Sequence, residues 1–277
     1  MADFITNLTG VAQVDNSLVQ AYAAGIMIAN GQAQILEPLV SVKEDINAVS
    51  IRFTKYGRLA LATTPLLERE DVASIALSDS EILLTPKEYG NVVTTTNLSS
   101  IQTGGRVDLA AAKNVGLNMG QTQDALILQA LMTAPAGNKE ASAVSGAQLD
   151  GQYSKLASAS VSPVGDSYVA VMPESVIAVL RAESGWVDVQ KYASAEAVLK
   201  NEVGFYKGHR ILRHEGVTAG HSISLGANAL GKAVSQAPSM RMTSGNDKLN
   251  RFFNLGWYGV FAYGLIDPDA VQILTGV

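Results

Sequence analysis

The sequence has 277 residues, of which 47% are hydrophobic and only 16% charged, with a net charge of −5 and no cysteine. That length accommodates one large domain or two linked ones. The apolar content excludes wholesale disorder. The missing cysteines exclude disulfide frameworks, thiolate nucleophiles and Cys-ligated metal or iron–sulfur sites.

Soluble domains usually carry about 25% charged residues, so the surface should be neutral and rich in Ser, Thr, Asn, Gln and Gly. A low-charge surface on so long a chain suggests that other subunits cover much of it. The opening MADFITNLTG has no basic region followed by an apolar run, so no signal peptide is expected there. The most apolar stretch, residues 257–266, is interrupted by Gly259 and Gly264 and is too short to cross a bilayer. Folding in the cytosol is the expectation.

Charge is unevenly spread. Residues 66–90 hold Glu68, Glu70, Asp71, Asp79, Glu81 and Glu88 against Arg69 and Lys87. Residues 200–251 hold eight basic side chains, among them Arg241, Lys248 and Arg251, against three acidic ones.

In chain order, residues 1–48 read as an arm that needs another surface to lie on. Helical spacing near 19–33 is weakened by Gly25 and Gly31. Residues 49–61 alternate, with Ile51, Phe53 and Lys55 on one face and Ser50, Arg52 and Thr54 on the other, which predicts a half-buried strand. A second β-rich run covers 81–98, and the acidic segment between them makes the tip of a long hairpin. Isolated hairpins are marginal in water, so this one should pack on a partner.

The clearest helix is predicted over 107–133, with Asp108 as its cap and Ala134-Pro135-Ala136-Gly137 as its stop. Gly116 and Gly120 lie one turn apart inside it. Each weakens the helix by about 1 kcal/mol relative to Ala, which suggests close approach of another backbone. A short helix is expected near 153–157. Ser167–Met172 then reads as a strand, with Pro173 at the first position of the helix that follows. A second helical piece starts near Ser194. Residues 204–212 read as a glycine-punctuated strand pair, and 221–225 as a further strand. A long strand through Trp257, Tyr258, Phe261 and Tyr263 turns at Asp267-Pro268-Asp269 and returns through 270–274.

Chemistry-bearing motifs are scarce. There is no phosphate-binding loop and no dinucleotide fingerprint, since Gly116 and Gly120 sit in mid-helix. Gly220-His221-Ser222-Ile223-Ser224 approaches a nucleophile elbow but has Ser where the second Gly is needed. His209, His214 and His221 match no helical ligand spacing. No catalytic residue, metal or cofactor is expected, and the chain reads as a non-enzyme.

The order of the pieces resembles the Hong Kong-type fold of tailed-phage major capsid proteins. The similarity rests on 84-LTPKEYGNVV-93, on Asp124 in the long helix, on 168-YVAVMP-173, on 201-NEVGFYKGHRI-211 and on 226-GANALG-231. Each motif is weak by itself, and their order carries the signal over roughly residue 43 to 277. The resemblance implies an α+β chain with an N-terminal arm (1–48), an extended hairpin loop (49–98) and a peripheral domain (99–160) with a spine helix over 107–133. An axial α/β domain (161–245) and peripheral return strands (246–277) complete it.

It also implies self-assembly into hexamers and pentamers of an icosahedral virion shell in the bacterial cytoplasm. The implied partners are a portal protein, a separate scaffolding protein and weakly bound double-stranded DNA, with no membrane. Because residues 58–85 contain no lysine, covalent cross-linking through the hairpin tip is not expected.

The charge asymmetry then suggests contacts between subunits, with Glu68, Glu70, Asp71 and Glu81 of one hairpin facing Arg241, Lys248 and Arg251 of a neighbour. Such rim pairs set register more than affinity. The alternatives are a nanocompartment shell around protein cargo, another virion component and, least favoured, an α/β hydrolase using Ser222.

Overall fold

The computed structural model describes residues 26, 28–30, 33–45, 49–57, 59–66, 68, 71–72, 74–104, 106–188, 201–244, 249 and 251–276. Two sheets and one long helix organise them.

The helix α2 (Arg106–Leu131) follows a short helix α1 (Asn97–Thr103). Its N-terminal half packs on a four-stranded sheet of β1 (Val40–Glu44), β11 (Leu230–Ser244), β12 (Phe252–Leu265) and β4 (Lys87–Thr96), in that order. Strand β1 runs parallel to β11, and the other pairings are antiparallel. The contact buries Ala112, Val115 and Met119 against Val234, Leu255, Trp257 and Phe261. The Trp257 indole N–H donates to Asn118 of the helix at 3.0 Å, as a buried indole usually requires.

The C-terminal half of α2 packs on a seven-stranded sheet. Its order is β5 (Lys139–Glu140), β13 (Val271–Leu274), β10 (Ser222–Leu225), β6 (Tyr168–Met172), β9 (His209–Arg213), β8 (Glu202–Tyr206) and β7 (Val187–Asp188). Strand β6 is buried along its whole length. Val169 and Val171 meet Ile127, Leu128 and Leu131 of α2, while Ala170 and Met172 meet α3 (Gly146–Ser158) and α4 (Glu174–Arg181) on the other face. A central strand covered on both faces has to be continuously apolar, and YVAVM is. Lys207 and Gly208, both at positive φ, form the tight turn between β8 and β9, the conformation that two-residue hairpins favour.

A two-stranded ribbon, β2 (Ile51–Tyr56) with β3 (Asp79–Leu84), completes the fold.

The structure corrects several expectations. The β-rich run 81–98 is two strands, because Pro86 has no N–H to continue a ladder; β3 stays with β2 while β4 crosses to β12. The long helix covers 106–131, and Asp108 sits in its first turn, accepting from the Ser100 hydroxyl instead of capping. The helix expected near 153–157 is thirteen residues long, and Pro173 is the N-cap of α4 rather than its first residue. Pairing also crosses the boundaries drawn at 161–245 and 246–277, since β11 belongs to the four-stranded sheet and β13 to the seven-stranded one. The helical piece expected from Ser194 lies outside the described residues.

Candidate assembly surfaces

The end of the arm lies on its own chain. Helical residues Ile26, Ala29 and Asn30 press so closely on α2 that a Cβ on Gly116 would sit 2.4 Å from the Ile26 carbonyl oxygen. One on Gly120 would sit 2.6 Å from Ala33 Cβ. Further along, Asp124 of α2 is almost fully buried and accepts the backbone N–H of Ile35 (2.8 Å) and Leu36 (3.3 Å).

Two residues on, Glu37 accepts from the buried Lys232 ammonium and from the Tyr263 hydroxyl. Lys232 also donates to Gln123 at 3.1 Å and lies over the Phe261 and Tyr263 rings. Burial, reinforced by Glu37, pushes the Tyr263 hydroxyl well above its ordinary pKa, so it serves only as a neutral donor.

The hairpin differs. Beyond Gly57, whose N–H still donates to the Ser78 carbonyl, Leu59, Leu61, Leu66, Val72, Ile75 and Leu77 are all between 57% and 88% exposed. Helix α1 is inverted in the same sense. Its Ser99 and Thr103 hydroxyls bond carbonyls of its own first turns and Ser100 bonds Asp108 of α2, while Leu98 (65%) and Ile101 (79%) are exposed. Apolar groups gathered outward on a monomer mark contact surfaces.

Of the charged residues singled out in the sequence, Glu68 and Asp71 are exposed on the hairpin, and Asp71 accepts from the Val72 N–H. Glu81 pairs with Arg52 of its own hairpin at 3.0 Å. Arg241 lies over the Tyr258 ring and Arg251 over Phe252. Glu70 and Lys248 fall outside the described residues. Sequence reasoning missed the α1 surface and the Lys232 network. Leu98 and Ile101 at i and i+3 were the available sign of a one-sided helix.

The groups considered for catalysis do not converge. His209 is fully buried, and desolvation lowers its pKa to about 4. His214 accepts the Gly216 N–H on Nδ1 and therefore presents Nε2–H to Asp124 at 3.2 Å. Ser222 is buried inside β10, not on a strand-to-helix turn. Among the described residues no group of three or more His, Asp or Glu side chains is placed to hold a metal ion.

No protein-family model matches the chain, and no curated protein matches it. Solved structures do. The capsid of Ralstonia phage GP4 superposes with a TM-score of 0.72 at 15% identity, covering 85% of this chain and 86% of that one. The head structure of Helicobacter pylori bacteriophage KHP40 gives 0.68 at 12%, covering 88% and 90%. A virus-like particle from Pyrococcus furiosus gives 0.62 at 11%, covering 92% and 98%. At such identities the likeness is one of fold. The chain has the α+β, Hong Kong-type fold of tailed-phage capsid proteins, as its order of motifs suggested.

Proposed function

We propose that this chain is the major capsid protein of a tailed bacteriophage, assembling as hexamers and pentamers into an icosahedral shell around double-stranded DNA. The observation that carries the reading is a capsid fold whose long hairpin exposes its aliphatic side chains. A row of such residues has no use on a monomer and gains free energy only when a neighbouring copy covers it. The charge of −5 limits contact with DNA to weak, non-specific attraction at local basic patches. In this reading a separate scaffolding protein and a portal complete assembly in the host cytoplasm, and the chain performs no catalysis.

A second reading, a shell around protein cargo, draws on the Pyrococcus particle, 98% of whose chain aligns here. Expression of the chain alone, followed by sedimentation and negative-stain microscopy, tests both. Closed shells, or rings that close when scaffold is supplied, are the expected result. Nuclease-protected DNA inside virions separates the phage reading from the cargo reading. A stable monomer under every salt and scaffold condition overturns both.

A further inference from the structure

The hairpin leaves the body at a constructed joint. Ile51, Phe53 and Lys55, two residues apart along β2, share the face turned to the rest of the chain. Ile51 is buried and Phe53 half-buried. Phe53 and, from β3, Leu84 meet a notch made by two glycines that are cross-strand partners, Gly231 of β11 and Gly264 of β12. A Cβ on Gly264 would sit 2.3 Å from Leu84 of β3. One on Gly231 would sit 2.5 Å from Ile266 and 3.1 Å from the Phe53 ring. A side chain at Gly264 would have to displace Leu84 of the ribbon, and one at Gly231 would have to displace Ile266 and crowd Phe53.

The third residue of the face is the cation. Lys55 Nζ reaches across a crevice of about 640 Å3 to Asp267 Oδ1 at 2.6 Å, with Asp269 Oδ2 at 3.8 Å. Both carboxylates belong to the tight turn joining β12 to β13, where Asp267 also accepts the Asp269 N–H. At the opposite end of the ribbon, Lys43 of β1 donates to the Arg52 carbonyl at 2.8 Å. Among the described residues, Lys55 is thus the last side-chain tie to the body before the chain departs at Gly57.

We infer that the Lys55–Asp267–Asp269 clamp, working with the Gly231/Gly264 notch, aims the hairpin and so sets the geometry at which one subunit reaches the next. The inference rests on the shell reading proposed above. Without the clamp, the pivot moves back from Gly57 towards Phe53. The three residues from Phe53 to the end of β2 span about 10 Å, so a rotation of about 10° at Phe53 displaces that end by about 2 Å. That is enough to misplace an apolar contact that needs van der Waals distance. Exposed ion pairs add little to stability, so the role assigned to Lys55 is one of direction.

The chain has no cysteine, which permits a direct test. Spin labels at Tyr56→Cys and Ser154→Cys report the angle of the ribbon to the body in unassembled protein. A narrow distance distribution is expected with Lys55 present, a broad one with Lys55→Met, and a narrow one again with Lys55→Arg. Asp267→Asn/Asp269→Asn removes the same contact from the other side and should match Lys55→Met. An unchanged distribution in both loosened variants overturns the clamp, whatever their shells look like.

In assembly, Lys55→Met should lose uniform closed shells in favour of open or mixed-diameter products, with Lys55→Arg restoring them. Shells of wild-type diameter and uniformity from a demonstrably loosened variant overturn the link from clamp to shell geometry and leave the shell reading intact. Wild-type protein that never assembles defeats the shell reading and that link with it, and the distance distributions still decide the clamp.

Discussion

Lys232 is a cation held almost entirely out of water, with its side chain 7% exposed. Such a charge persists only when paired and hydrogen-bonded, and Glu37 and Gln123 supply both. The pair joins the arm to β11, so its loss should loosen residues 34–44 first. Lys232→Met leaves the Glu37 carboxylate facing only the Tyr263 hydroxyl and should lower unfolding free energy by about 3 kcal/mol. The double variant Glu37→Gln/Lys232→Met should recover most of that, because no charge is then left unpaired. Denaturant titration of the three proteins decides it, and equal losses in the single and double variants would contradict the account.

His209 makes the other prediction at this scale. Its pKa is lowered to about 4, mainly by desolvation, against about 6.5 in an unfolded chain. Between those values the unfolded state binds more protons, so stability rises with pH. The contribution is intact above about pH 6.5, falls through the window and levels off below about pH 4, a difference of order 3 kcal/mol. His209→Gln should flatten the acid limb of a stability–pH curve, and an unaltered limb would place the acid sensitivity elsewhere.

Among the elements, α2 is held by contacts that its propensities do not favour. Gly116→Ala should gain about 1 kcal/mol from helix propensity alone, but its Cβ would meet a carbonyl oxygen of the arm at 2.4 Å. Overpacking of this kind destabilises by about 1–3 kcal/mol. Gly151→Ala on α3, where nothing lies within 4 Å, is the control and should stabilise. Melting temperatures moving in opposite directions would support the close approach, and a shared increase would refute it.

The elements also show what the sequence made legible. Strand β6 and helix α4 announce themselves locally, by an unbroken apolar run and a proline. The alternation of Ile51, Phe53 and Lys55 was equally readable, because period two is a property of the strand itself. Which sheet a strand joins is not local. Nothing in 79–96 says that β3 and β4 part company, and nothing in Val40–Glu44 names β11, about 190 residues away, as its partner. The acidic and basic segments were visible as composition, but composition does not say that Glu81 is already occupied by Arg52.

At the scale of the whole molecule, α2 is the common beam. One half is packed on the four-stranded sheet and the other on the seven-stranded sheet, so a displacement of either sheet is transmitted to the other through a packed helix instead of a linker. The buried groups keep the body fixed, whereas the hairpin and α1 carry many of the exposed apolar groups. In the proposed shell, that division of labour suits a subunit that stays rigid while its edges find neighbours.

The seven-stranded sheet has a consequence in time. Strand β13 lies between β5 and β10, yet it is made 132 residues after β5 begins, counting from Lys139 to Val271. At ribosomal speeds that gap lasts about ten seconds. Throughout it β5 has no partner strand, and β10, once made, keeps an open edge until β13 arrives. The seven-stranded sheet closes only when β13 is inserted, so a chain cut short of Val271 carries an unfinished core. In the proposed shell, insertion of β13 thereby becomes a checkpoint that each copy passes before it meets its neighbours.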